Sequence, residues 1–348
     1  MAYTNIDDPS AYFQAKTYTG NATDNTPITN DGNSNLQADW IWFKRRSSTE
    51  NHVLADSTRG VTKWLFSNLT NAEGTSTARL KSFDTNGFTL GDTGSTNQNG
   101  ANFVAWEWKA NGGTTSSNTD GDITSTVQVN QDAGFSIVTD SPSNNTARSI
   151  GHGLGVAPQV VIRRARTRVE SWRVFHSSAG STGSLKLNDS SAYNSSTVLF
   201  TGVTSSTFGV GTDFSVNGNY NYVSYCFAEK QGYSKFGSYK GNGNTNGAFV
   251  YTGFKPAWVM VKQSNTARNW QIFDNKRDGY NKDYMPRLQA DNDSPEAASS
   301  GASMDFVSNG FKIRTSQTGA NQNGGTYIYM AFAENPFVTS TGIPTTAR

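Results

Sequence analysis

Three stretches of the chain share one pattern of apolar and polar positions. Residues 40–43, 160–162 and 258–261 are apolar on both alternating faces, then reach a basic residue, Lys44, Arg164 or Lys262. Seven polar positions follow, RRSSTEN, ARTRVES and QSNTARN, and then a second apolar run, HVLA, WRVF or WQIF. A strand that is apolar on both sides is one covered on both faces. The pattern therefore predicts a buried central strand that emerges at the basic residue, a long exposed tip and a returning strand. Pro158 and Pro256 precede the strand, where a missing N–H costs little, and Gly155, Gly253 and Asn35 supply turn residues that tolerate positive φ.

The same order continues in each copy. An Asn-Gly or Ser-Thr turn delivers a phenylalanine into a strand in TNGFTL (85–90), SSTFGV (205–210) and SNGFKI (308–313). A closing strand follows in FVAWEW (103–108), YVSYCF (222–227) and YIYMAF (327–332). Period two places Val104/Trp106/Trp108, Val223/Tyr225/Phe227 and Ile328/Met330/Phe332 on one face as a core stripe, with Cys226 on the other. An opening strand recurs as well, with Tyr18-Thr19-Gly20-Asn21 echoed by Tyr239-Lys240-Gly241-Asn242 and more weakly by FSIVTD at 135–140.

Colinear elements at similar offsets divide the chain into three repeat units, 1–112, 113–232 and 233–348. The joint NGGTTSSNTDGD (111–122) reads as flexible, whereas KQGYSKFGSY passes directly into the third unit and implies packed neighbours. Helical periodicity is not sustained anywhere; LFSNLTNAEG (65–74) and PRLQAD (286–291) could each form a turn or two. The expected fold is all-β, three tandem antiparallel β-sandwich or jelly-roll-like units.

Composition sharpens this picture. Only 34% of the 348 residues are hydrophobic, yet 8 Trp, 14 Tyr and 20 Phe allow cores built from few, large side chains. One cysteine, Cys226, excludes an intrachain disulfide framework and a cysteine zinc knuckle. No stretch reads as an export signal or a membrane span, and a net charge of +2 argues against a dedicated nucleic-acid binder.

Candidate chemistry is sparse, and no catalytic, cofactor-binding or metal-ligating residue is assigned. His52 takes the slot of Trp172 and Trp270, which favours packing; His176 takes that of Asp56 and Asp274, and His152 lies in a Gly-rich turn. GHGLG (151–155) precedes a strand and lacks nucleotide-binding spacing, and Asp120-Gly-Asp122 and Asp291-Asn-Asp293 are fragments of calcium loops without the full ligand set. Asp56-x-x-Arg59 and Asp274-x-x-Arg277 read as local salt bridges or turn caps. The basic residues at the strand exits and tips, Arg45, Arg46, Arg163, Arg164, Arg166, Arg168, Lys262 and Arg268, are the candidate surface contacts, able to pair with carboxylate or phosphate on an acidic surface.

The repeated phrases YTGN, GHGLGVAP, QGYSKFGSYKGNGN and GTYIYMAFAENPF, taken together, resemble tandem-repeat structural proteins in the virions of marine tailed bacteriophages, including cyanophages. The resemblance implies a capsid decoration or knob protein, or a tail-fibre-like component, assembled in the host bacterial cytoplasm and without enzymatic activity. Its partners would be other virion proteins of the capsid or tail, with no nucleic acid and no membrane insertion. The chain lacks the heptad shaft of a long fibre. The alternatives are a receptor-binding tail fibre protein that contacts host surface glycans and, third, a polysaccharide depolymerase. Threefold positions on a particle fit either a homotrimer or a pseudo-threefold arrangement within one chain.

Overall fold

The computed structural model describes residues 4–277, 281, 285–297 and 304–336. They form six antiparallel sheets, three large and three small. The first large sheet has the spatial order Phe13–Thr19, Asn102–Trp108, Trp40–Arg45, Val53–Asp56, Lys63–Phe66, Gly74–Thr75. In the second, Ser116–Asn118 and Ser125–Asn130 precede Phe135–Asp140, Tyr222–Phe227, Val160–Ala165, Arg173–His176 and Leu185–Lys186. The third runs Ser234–Lys240, Thr326–Pro336, Phe254–Gln263, Gln271–Asp274, Leu288–Gln289. Each thus contains the same four neighbours, opening, closing, central and returning strands, in the same register: Trp40 faces Trp108, Val160 faces Phe227 and Trp258 faces Phe332. The chain stretches that build the three large sheets are called segments below.

Each large sheet is the middle of three layers. On its outer face lies a three-stranded sheet from the same segment: Thr26–Thr29, Gly87–Leu90 and Leu80–Asp84; Arg148–Gly151, Thr207–Val210 and Phe200–Val203; or Phe249–Tyr251, Gly310–Ile313 and Met304–Val307. Ile41 and Phe43 meet Phe88 and Leu90 there, Val161 and Cys226 meet Phe208 and Val210, and Val259 and Val261 meet Phe311 and Ile313. The inner faces of all three large sheets meet in one core that contains Trp40, Trp106, Trp108, Tyr225, Phe227, Trp258 and Phe332. Ring contacts join every pair of segments: Trp40 to Tyr225 at 4.3 Å, Trp108 to Trp258 at 5.6 Å and Phe227 to Phe332 at 5.7 Å. The period-two stripe of the closing strands therefore faces the other segments. The odd positions of the central strands, with the opposite face of the closing strands (Ala105, Cys226 and Ala331), serve the local sandwich cores.

Several expectations are corrected. The stretches 65–74 and 286–291 hold strand and turn, and the α-helical turns stand instead at Gly94–Asn97 and Thr318–Asn321. Their buried Asn97 and Asn321 accept the backbone N–H of Asn21 and Asn242, each at 2.9 Å. The preceding Gly20 and Gly241 come so close that a Cβ would stand 2.3 Å from the carbonyl of Gln98 or Gln322, which accounts for the YTGN and YKGN phrases. The joint 111–122 is tied down at its start, because Asp39 accepts the N–H groups of Ala110, Gly112 and Gly113 at 2.7–2.9 Å, and Ser116–Asn118 enters the second sheet.

Candidate functional site

The strand-exit cations do not emerge. Lys44, Arg164 and Lys262 are fully buried because a loop of another segment covers each. Lys44 Nζ donates to the Asp293 carbonyl at 3.2 Å, Arg164 Nη2 to the Asn71 carbonyl at 2.6 Å and Lys262 Nζ to the Ser190 carbonyl at 3.1 Å. First thus meets third, second meets first and third meets second, and the cycle closes. Burial pulls both lysines down to about 8, with the acids Glu50 and Asp293 around Lys44, and Asp291 and Asp189 around Lys262, pulling the other way. Burial likewise lowers Arg164 to about 10.

The hairpin tips follow the same cycle. Glu50 N–H donates to the Asp293 carbonyl, Glu170 N–H to that of Thr70 and Arg268 N–H to that of Ser190, at 2.9–3.0 Å. Arg46 pairs with Glu296 at 2.5 Å, and Arg166 with Glu73 at 2.8 Å, again between segments. Trp172 and Trp270 donate their indole N–H to the carbonyls of Phe66 and Lys186 at 2.7 and 2.8 Å.

At the next position of the cycle, the first and third segments use an aspartate. Asp56 takes both the backbone N–H and the Nε of Arg59, at 2.8 and 2.5 Å, and Asp274 does the same with Arg277, at 3.1 and 2.6 Å. The turn cap and salt bridge read from sequence are present, and each carboxylate also reaches across a seam. Asp56 receives the Tyr225 hydroxyl and Asp274 the Trp106 indole N–H. In the second segment His176 fills the slot, and the register counterpart of Trp106 and Tyr225 in the third segment is Met330, whose side chain has no donor. His176 Nδ1 accepts from Ser178 N–H at 3.2 Å, so Nε2 carries the proton and donates to the Tyr329 carbonyl at 3.0 Å. Burial holds His176 down to about 4. His52, also buried, accepts the Trp42 indole N–H at 2.8 Å, and burial drives its pKa well below the ordinary range.

Of the candidate surface contacts, Arg163, Arg164 and Lys262 are corrected outright, since all three are buried. Arg163 faces the local core, where both its Nη atoms meet Asp140 oxygens at 2.7 Å and its guanidinium lies 4.2 Å from the Tyr222 ring centre. Register matches Asp140 and Arg163 to Tyr18 and Phe43, so an ion pair stands in the second segment where the first has aromatic rings. Arg46 and Arg166 are committed to seams. Arg45 and Arg268 are half-buried, and Arg168 stacks on Phe214 and Tyr220 at 5.1 and 5.0 Å.

Glu107 is a polar core residue that sequence reading missed. It is fully buried and receives Asn30 Nδ2 at 2.9 Å; burial pushes it up to about 8. Among the described residues, no group of three or more His, Cys, Asp or Glu side chains is placed to hold a metal ion. Asp122 instead accepts from the Ser149 N–H and hydroxyl, and Asp291 from the Trp270 N–H. No described helix is long and apolar enough to cross a membrane.

The outer surface carries three hollows of note. One, about 240 Å³, lies between the first and third segments beside Gln14, Asp31 and Lys276, where Asp31 bridges Lys16 and Lys276, each at 3.1 Å. A second, about 450 Å³ and wide open, lies at the first joint beside Asn111 and Gln131. The third, about 290 Å³, lies at the second joint beside Glu229, Lys235 and Tyr251. Residues 8–336 match the family described as a domain of unknown function, DUF7483. No curated protein matches the chain.

Proposed function

The chain belongs to the DUF7483 family, and we propose that it is a non-enzymatic structural protein on the surface of a bacteriophage particle, a capsid decoration or knob protein or a tail-appendage component. The observation that carries this reading is the use of the buried acids, bases and indoles at matching positions. They fasten one segment to the next, at Lys44, Arg164 and Lys262 and at Asp56, His176 and Asp274. Such a body suits a spacer, a scaffold kept for its shape that presents its outer loops for contact. It would assemble in the host cytoplasm and act in the virion, with capsid or tail proteins as partners. Because the cycle of seams closes within one chain, one copy supplies the threefold arrangement by itself, and light scattering should return a monomer. Mass spectrometry and immunogold labelling of purified particles test the placement; finding the chain absent from them would sink it.

A second reading, a receptor-binding tail fibre protein that contacts host surface glycans, is favoured by a separate observation. Phe249 and Tyr251 hold two rings half-exposed on one face of an edge strand. Unchanged host adsorption by particles that lack the protein would remove it.

A further inference from the structure

The hollow at the second joint differs from the other two in having an exposed aromatic wall. Its floor comes from the joint phrase, with Glu229, Gln231, Ser234 and Lys235, and its wall from Tyr251 and Thr252. Tyr251 is 52% exposed and Phe249 is 49% exposed, while Val250 between them is buried. Both rings therefore stand on the solvent face of the strand, about 7 Å apart along it. The strand is an edge, hydrogen-bonded on one side only, to Gly310–Ile313. Opposite Tyr251 lies Gly310, which offers no side chain to cover the ring.

Packing does not demand aromatics there. The register places Pro27 and Thr29 at the matching positions of the first small sheet, and Ser149 and Gly151 at those of the second. Two large rings kept in water in one copy alone mark a surface built for contact.

The polar groups narrow the class of ligand. Lys235 Nζ holds Glu229 Oε1 at 2.6 Å, so the charges cancel and a strongly charged ligand gains nothing. Glu229 Oε2 is approached only by the Phe236 N–H, at 3.5 Å, and keeps accepting capacity. The exposed Gln231 amide offers a donor and an acceptor side by side. Sugar hydroxyls donate and accept at once, and the C–H faces of sugar rings lie flat on aromatic rings. A carboxylate, an ammonium and an amide beside a tyrosine face match that combination, and the continuation to Phe249 extends it beyond one ring.

We propose that the second-joint cleft and the Phe249–Tyr251 face form a binding site for a neutral oligosaccharide. The proposal deepens the glycan-contact reading and gives it a place.

The test uses the full purified chain in solution, titrated calorimetrically with maltohexaose, cellohexaose and N-acetylchitohexaose, and with a heparin hexasaccharide as the anionic probe. At least one neutral probe should bind. Tyr251→Ala should weaken it about tenfold or more, and Gln231→Ala should weaken it as well. Phe214→Ala, which removes an exposed ring from the second segment, should leave it unchanged. Near-ultraviolet circular dichroism and the thermal midpoint should stay as in the parent, since Tyr251 and Gln231 are exposed. Binding by none of the neutral probes, binding by heparin alone, or neutral binding untouched by Tyr251→Ala would each overturn the site. In the last case glycan contact itself survives elsewhere on the chain, so the two readings fail separately.

Discussion

The Tyr225 hydroxyl donates to Asp56 Oδ2 at 2.7 Å across the seam between two segments, onto the same oxygen that receives Arg59 Nε at 2.5 Å. A local turn motif thereby becomes a fastener. Removing one donor, Tyr225→Phe, should cost about 1.5–3 kcal/mol, the range for a hydrogen bond to a charged group. Asp274→Ala should cost more, about 3–5 kcal/mol, because it breaks the buried pair with Arg277 and strips Trp106 of its acceptor. Urea unfolding monitored by tryptophan fluorescence checks both.

The Asp140–Arg163 pair is fully buried, and its ring-bearing counterparts are Tyr18 and Phe43. Arg163→Phe alone should destabilise by about 3–5 kcal/mol, since it leaves a carboxylate buried without its partner. The double change Asp140→Tyr with Arg163→Phe, which copies the first segment, should recover most of that loss. A double-mutant cycle measures the coupling, and additive losses would contradict the exchange.

Glu107 makes stability fall with rising pH. Its folded pKa of about 8 lies above the ordinary 4.5, so below pH 4.5 both states hold the proton and no penalty exists. Between about 4.5 and 8 the unfolded chain releases the proton first. Stability then declines by at most about 1.4 kcal/mol per pH unit. Asn30 Nδ2 already donates to Glu107 Oε2, and the two oxygens left over, Glu107 Oε1 and Asn30 Oδ1, have no other hydrogen-bond partner. A protonated acid joins them. Glu107→Gln should keep both bonds without ionising and flatten that limb of the stability profile, as measured by denaturant midpoints from pH 4 to 9.

Lys262 acts on the loop of the second segment more than on its own strand. Lys262→Met should raise amide exchange around 188–191, where the Ser190 carbonyl loses one of its two donors and keeps the Arg268 N–H, and leave the sheet registers of the third segment protected. Faster exchange confined to the strand Phe254–Gln263 would count against this.

The shared core predicts one cooperative unfolding transition. Trp108 touches Trp40, Trp258, Phe227 and Phe332, and so packs against all three segments at once. Trp108→Ala should cost about 3–5 kcal/mol and shift fluorescence and calorimetric transitions together. Residues 233–348 expressed alone should not fold, because Trp258, Met260 and Phe332 would face water.

Strand character and the core stripe were readable because side-chain alternation in a strand is a local property. Trp106 and Trp108 had to share a face whatever that face met. Which surface covered the stripe was not readable, since Trp258 comes to Trp108 only through the closing of the cycle. The buried cations were misread for the same reason. Lys44 and Arg164 sit where a strand would leave an isolated sandwich, and nothing near them in sequence announces the carbonyls of Asp293 and Asn71. Asp140 was the detectable omission. It stands in an opening strand whose counterparts carry Tyr18 and Tyr239, and a buried acid in that column calls for a cation within reach, which Arg163 supplies from the central strand, across the intervening closing strand.

The three seams are closed by different chemistry, an indole on Asp274, a phenol on Asp56 and an imidazole on a backbone carbonyl. A trimer of identical subunits must use one seam three times, so any change in it is felt at every seam at once. Joined on one chain, each seam can change alone. A Met330 that would disarm all three contacts in such a trimer is here absorbed by a single histidine, and the body holds while its three outward faces follow separate histories.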